Sequence, residues 1–371
     1  MSNNVLGILN MEPNYVKVEG IEDYRPISAG SVLGRYRTID FMMSNFTNSR
    51  IQDVKVYLKN RPRSLIEHIH NTNYNLNSKR GKIHLLYGEK EVINQAYNTD
   101  LNAFHDNMEY MDEVSPKYVI IAPSHFIFVQ DFSVMLQYHL ESGNDITILY
   151  QNVYDSNERY QNCDVLSLDD DKNITAFHKN RLKYKKGYIS LETYIMTYEL
   201  FKDLIDKGRS ISSMYSLSDI IADSIEWLKV GGYHHTGRAA CINNLKEYYD
   251  FNMAMKDSRE MYQMFQDDWP IFTMTTDSCP TLYLKGSVAN DSLVGNGCRI
   301  EGSVIGSVIG RNVSIGKDSV VKDCVISPNV TIGDNVYLEN AVVDRFAYIN
   351  TVKELRGEKQ KPLYIARRDN I

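Results

Sequence analysis

The stretch from Ile309 to Val342 is a ladder of short units, IGRNVS, IGKDSV, VKDCV, ISPNVT, IGDNVY and LENAV, each headed by an aliphatic residue. Ile309, Ile326 and Val343 stand 17 apart (326 − 309 and 343 − 326), as do Ile315, Ile332 and Ile349, so six, six and five residues close one coil. Each coil is then a triangle of short strands whose aliphatic heads point inward and stack on the coil before. Gly310, Gly316 and Gly333 fall at turns where a side chain would clash. The spacing predicts a left-handed parallel β-helix over 286–350. It starts near Val288, Val294 and Ile300, with a shorter 15-residue step from Val294 to Ile309. Strands of a sandwich share no such fixed register, which sets that architecture aside.

A prism of this kind fits acyltransferases, appendages of sugar-phosphate enzymes and plain assembly surfaces, so function has to be read upstream. Residues 1–265 alternate β-branched runs, VLGIL (5–9), VKVYL (54–58), YVIIA (118–122), ITILY (146–150) and TYIMT (193–197), with helical patterns. RSLIEHIH (63–70), FSVMLQYHLESG (132–143) and YELFKDLIDKG (198–208) carry apolar residues at three- and four-residue intervals, the last two ending on a glycine expected to cap the helix. The expectation is an α/β, Rossmann-like domain with a mostly parallel sheet, then a linker at 266–285, the prism, and a tail at 351–371. Ligands in such sheets sit beyond the carboxyl ends of the strands, after Leu9, Leu58 and Ala122.

At 371 residues there is room for two domains, and the net charge of −6 comes without long charge runs, which argues against a nucleic-acid surface and against polyanionic partners. No apolar run approaches a membrane span and MSNNVLGILN lacks the features of a signal peptide, so a cytoplasmic location is expected. Cys163, Cys241, Cys279, Cys298 and Cys324 are odd in number and never in CxxC spacing, as free and mostly buried thiols would be.

RPISAGSVLGRYRTIDFMMSNFTNSRI (25–51) resembles the N-terminal signature of glucose-1-phosphate adenylyltransferases, the enzymes that make ADP-glucose for glycogen. HFIFVQDFSVMLQYH (125–139), WPIFT (269–273) and the ladder itself extend the resemblance over essentially the whole chain. It implies a nucleotidyltransferase (GT-A-like) domain followed by the β-helix. Against that pattern three elements depart. Where catalytic members carry a glycine-rich GGxGxRL loop for the triphosphate, this chain reads LNMEPNYVKVEG; Pro13 offers no N–H and Glu12 would repel phosphate. Where members hold a divalent cation with two aspartates, Ser124 of PSH and His235 of HTG stand instead. Where members carry EKP, the chain has His178, Lys179 and Asn180, leaving Lys179 to meet a sugar phosphate.

The remaining residues add less. His234 and His235 are adjacent and on a strand point to opposite faces, with no Cys or second His pair at ligand spacing, so no metal site is expected. Asp169, Asp170 and Asp171 lie in DVLSLDDDKNITAF, which reads as a hairpin turn. No nucleophile elbow occurs. Arg35, Arg37, Arg61 and Arg63 come from loops near one sheet end and are expected to converge on an anionic effector, which the resemblance implies is a sugar phosphate or a nucleotide, with Arg356 closing over it; a solvated basic surface or an intersubunit ion pair is the competing reading.

The resemblance therefore implies a regulatory subunit of the GlgD type, weakly catalytic or inactive alone. It would bind no cofactor itself and would assemble, as a tetramer, with a catalytic subunit that holds Mg²⁺. Two rivals remain: an active nucleotidyltransferase rewired around Asp219 or Asp164, and a stand-alone sugar-phosphate sensor or β-helix acyltransferase. Acyltransferases place a histidine on the prism, and none follows His235.

Overall fold

The computed structural model describes residues 4–74, 82–88 and 95–371. In the first domain, strand Val5–Asn10 lies parallel between Asp53–Leu58 and Tyr118–Pro123, and Lys82–Tyr87 extends the same parallel set. Side chains of Val5–Asn10 alternate between two cores: Val5 and Leu9 enter one, Leu6 and Ile8 the other. All four are buried, as a strand covered on both faces requires. The long strand Gly187–Thr197 runs antiparallel to Tyr118–Pro123 on one side and to Ile146–Val153 on the other. Val230–His234 adds parallel to Ile146–Val153, and the hairpin Asp164–Leu168 with Ile174–Lys179 attaches to the start of the long strand. Every strand read from the sequence is present.

The helices Arg63–Asn71, Phe132–Ser142 and Tyr198–Ile211 are also where the periodicity puts them, but their ends teach different lessons. Gly143 caps its helix at φ +61, as expected. Gly208 does not cap; the helix runs on to Ile211. A Cβ at Gly208 would stand 2.6 Å from Leu101 and 3.3 Å from Ile220, so glycine is there to let three helices pack closely.

The ladder forms three parallel five-stranded sheets that together make the left-handed β-helix. Ile300, Ile315, Ile332 and Ile349 stack in one, and Val294, Ile309, Ile326, Val343 and Ile365 in another, reproducing the 15- and 17-residue steps. The prism begins at Leu282–Tyr283 and ends at Leu363–Ile365, so the end of the segment read as linker and most of the tail supply its first and last rungs. Hexad spacing fails there because a long loop separates Arg356 from Leu363, while the parallel pairing continues. At the corners Asn312, Asp318, Asn329 and Asn335 take left-handed φ values, which short polar side chains tolerate.

One face of the prism closes onto the first domain. Val325 and Val342 point outward into the first domain's core, Tyr249 donates to the Asp323 carbonyl at 2.8 Å, and Arg25 pairs with Asp344. Residues 269–272 run along helix Thr38–Asn48, where Trp269 Nε1 donates to Asn45 and the Phe272 N–H to Ser44. Gly34, at φ +67, leaves room for the Ile309 carbonyl 2.5 Å from where its Cβ would be. Gly34→Ala should therefore lose about 1–2 kcal/mol from the backbone alone, and more from the displaced prism. An unchanged urea midpoint would show that this junction can open without cost. Among the described residues no helix is long and apolar enough to cross a membrane.

Candidate functional site

The cleft lies beyond the carboxyl ends of Val5–Asn10 and Tyr118–Pro123, where sheets of this kind put their ligands. The chain leaves the first strand through Met11 and Glu12, both buried. Glu12 lines the pocket formed by the segments after strands Val5–Asn10 and Asp53–Leu58, its carboxylate accepting the Ser28 N–H at 2.8 Å, while Lys59 donates to its carbonyl at 3.1 Å. Its buried carboxylate braces the turn Ile27–Ala29. Asn10 donates to Asp100 at 3.0 Å.

Tyr15 then reaches back into the cleft. Its hydroxyl donates to Glu192 through a very short hydrogen bond and lies 3.1 Å from His125 Nε2 and 3.8 Å from Cys163 Sγ. The rings of Tyr15 and His125 meet edge to face at 5.7 Å. Glu192 is placed by an irregularity in Gly187–Thr197 between Ser190 and Thr193, and it sits at φ +47, a conformation costly for any side-chain-bearing residue. Burial pushes the Glu192 carboxyl up to about 7 and the His125 imidazole down to about 3. His125 is thus neutral, and its 3.7 Å approach to Glu192 is no ion pair. Burial, then Cys163 and Glu192, raise the Tyr15 hydroxyl well above its ordinary value. No periodicity marks Tyr15 or Glu192, which lie 177 positions apart, and the sequence reading missed both.

The two positions expected to have held a metal do not fit one. Ser124 is buried and, among the described residues, its hydroxyl has no hydrogen-bond partner. His235 is buried against Phe128, with Nδ1 3.0 Å from Gln130 Oε1 and Nε2 3.4 Å from the Arg238 carbonyl, and burial lowers it to about 4. Neither brings the negative charge a divalent cation needs. Among the described residues no three His, Cys, Asp or Glu side chains come together as a ligand set. The carboxylates of the rewired-site rival are engaged: Asp164 pairs with Lys179 at 2.7 Å and accepts from Ser218 at 2.5 Å, and Asp219 closes the capping box of helix Leu217–Ser224 with Ser216. Lys179 is therefore already paired; burial disfavours its charge, but Asp164, Glu192 and Asp219 together raise its pKa.

The arginines separate instead of converging. Arg35 stacks on Tyr36 and lines a groove of about 420 Å³ with Phe265, Asn296 and Arg311. Arg61 lines a different pocket, with Lys17, Lys59 and Glu22. Arg63 opens a helix with its side chain 92% exposed and, among the described residues, pairs only with Glu67. Arg356 stands on the side of the prism, over Tyr337 and beside Glu339 and Glu354. Only Arg37 is buried, donating to the Ala29 carbonyl at 2.5 Å and lowered to about 10 by burial and then by Arg25. Its electrostatic neighbours include Asp40 and, passed over in the sequence reading, Arg25 and Arg345. Arg345 is held well below its ordinary value by burial, then by Arg37 and Arg25. Among the described residues, Asp344 alone forms a buried ion pair with this group, through Arg25 at 2.6 and 3.0 Å.

Comparison with known proteins accords with this architecture. Residues 28–254 match the nucleotidyl transferase family, and 283–360 match the GlmU-like C-terminal hexapeptide family. The glycogen biosynthesis protein GlgD of Bacillus subtilis is 28% identical over 98% of this chain and 96% of its own. Glucose-1-phosphate adenylyltransferases of Mycoplasma mobile and Clostridioides difficile are each 30% identical, over 78% and 83% of this chain and 77% and 85% of theirs. With a nucleotidyltransferase domain, a hexapeptide prism and relatives of this kind along nearly its full length, the chain belongs to the glucose-1-phosphate adenylyltransferase family.

Proposed function

We propose that this chain is a regulatory, non-catalytic subunit of glucose-1-phosphate adenylyltransferase that acts in glycogen biosynthesis by assembling with a catalytic subunit. The observation that carries the reading is the filled cleft: Tyr15, Glu192 and His125 occupy it, and Ser124 and His235 stand buried and uncharged where a cation would be held. Two buried neutral groups and an internal carboxylate do nothing to stabilise a transferring phosphoryl group. Mg²⁺ would belong to the catalytic partner.

Regulation then has to pass through contact, since this chain biases its partner only by fitting one of the partner's states better than the other. An anionic effector finds its best support at the junction of the two domains. There Arg25 and Arg37 are buried and Arg345 is half-buried beside them, three positive charges against Asp344 and Asp40, and Arg35 with Arg311 lines the neighbouring groove.

The purified chain, given ATP and glucose 1-phosphate, should make no ADP-glucose above background. Added to a catalytic subunit of the family, it should co-sediment as a tetramer and change that enzyme's effector response by about 5-fold or more. Turnover of about one per second or more by the chain alone, or a catalytic subunit whose mass and kinetics ignore it, would overturn the proposal.

A further inference from the structure

Between Asp171 and Glu192 the chain has no carboxylate, while Lys172, Lys179, Arg181, Lys183, Lys185 and Lys186 fall in that interval. In a chain of net charge −6 this is a local reversal of sign. Arg181, Lys183, Lys185 and Lys186 are all exposed, and among the described residues none of the four makes an ion pair. Arg181 donates to the neutral Asn162, and Lys186 lies over the Tyr154 ring at 5.2 Å. Tyr154, Tyr184 and Tyr188 stand among these cations with 64%, 77% and 40% of their surface exposed.

The loop that carries the cations is pinned from beneath. The buried Asn180 side chain donates to the carbonyls of Ser156, Arg159 and Tyr160 and accepts the Leu182 N–H, and Ser156 bonds the carbonyls of Tyr184 and Lys185. The cations are therefore presented on a fixed backbone, and an encounter has little main chain left to order.

The same hairpin ends at its other tip in Asp169, Asp170 and Asp171, all exposed, with Asp169 bonded to Asn173; the exposed Lys172 that follows leaves this tip a net charge of −2 (1 − 3). Strands of five and six residues separate the two tips, by about 20 Å at the usual rise. The hairpin is thus positive at one end and negative at the other. A long polyanion laid along it would be repelled at the aspartate tip. A second hairpin of the same kind, turned end for end, is complementary along its whole length, and a two-fold axis produces that arrangement.

We infer that two copies of this chain associate through these hairpins side by side in opposite directions, so that Lys183, Lys185 and Lys186 of each face Asp169, Asp170 and Asp171 of the other, with the exposed tyrosines covered between them. Tyr and Arg are the residues interfaces favour, and complementary charge fixes register and speeds encounter. The inference does not depend on the regulatory reading, since a pair of this kind needs no catalytic subunit.

The test is sedimentation of the full chain without a partner. At about 0.05 M salt it should form a dimer of twice the 42.7 kDa chain, weakened as salt approaches about 1 M, where the screening length falls to about 3 Å. Lys183→Glu/Lys185→Glu/Lys186→Glu and Asp169→Lys/Asp170→Lys/Asp171→Lys should each raise the dimer dissociation constant at least ~10-fold. Mixing the two variants should restore a dimer, because each then carries the complement of the other's reversed tip at one contact, and circular dichroism should show both folded. A monomer at low salt, or a dimer that neither reversal disturbs, would overturn the inference.

Discussion

Asp344→Ala should cost the protein about 3–5 kcal/mol, the loss expected when a buried ion pair is broken from one side. Arg25 and Asp344 have side chains only 2% and 1% exposed, and the pair joins the two domains across 319 positions. Removing the carboxylate leaves Arg25 without its counter-charge beside Arg37 and Arg345, two further guanidiniums already disfavoured by burial. It also strips an acceptor from Tyr364, whose hydroxyl lies 3.1 Å from Asp344. Denaturant unfolding gives the loss directly. Replacing both partners by apolar residues, as in Arg25→Met/Asp344→Leu, should recover part of it, because the desolvation of both charges disappears together. A single variant within about 1 kcal/mol of the parent would mean that solvent reaches this junction and the arginines are not confined there.

What could be read before the fold was known follows from how local each signal is. The 17-residue repeat carries its own register, so Ile309, Ile326 and Val343 could be stacked on paper and are stacked in the prism. Gly208 misled because a glycine that ends a helix and one that admits a neighbouring helix look alike in one dimension; Leu101 and Ile220 decide the matter. The missing glycines and aspartates of the cleft were legible by resemblance. What replaced them was not, since Tyr15 meets Glu192 only once the sheet is built and bulged. The arginines were grouped by their nearness to strand ends, which says nothing of direction: Arg63 starts a helix and turns to solvent, while Arg25, unremarked, turns inward. The basic loop was hidden in an acidic total, an average over 371 residues that conceals an interval of twenty (191 − 172 + 1) without a single carboxylate.

The cleft's own titration offers the second large effect. Glu192 moves from 4.5 up to about 7 because burial penalises its charge, so the folded protein holds a proton there that the unfolded chain releases. Stability from this group is present below pH 4.5 and is lost as pH rises through about 7. The shift of 2.5 (7 − 4.5) corresponds to roughly 3 kcal/mol. His125, lowered to about 3, and His235, lowered to about 4, act in the opposite sense: their contribution is intact above 6.5 and is lost as pH falls toward those values. Between pH 4.5 and 6.5 the two trends oppose each other in the parent protein. Tyr15, Asp164, Lys179 and Asp100 also face Glu192, and the Tyr15 hydrogen bond works against the rise without cancelling it. Glu192→Gln removes the carboxylate and leaves the histidines. It should be more stable than the parent above pH 7.5 by about 2 kcal/mol, allowing about 1 for the weaker bond to Tyr15. That advantage should vanish near pH 5, leaving the variant with the steeper acid loss. Thermal unfolding from pH 5 to 8.5 measures both. Parallel pH profiles for the two proteins would mean that Glu192 keeps an ordinary carboxylate pKa, and hence that water enters the cleft which Tyr15 is taken to fill.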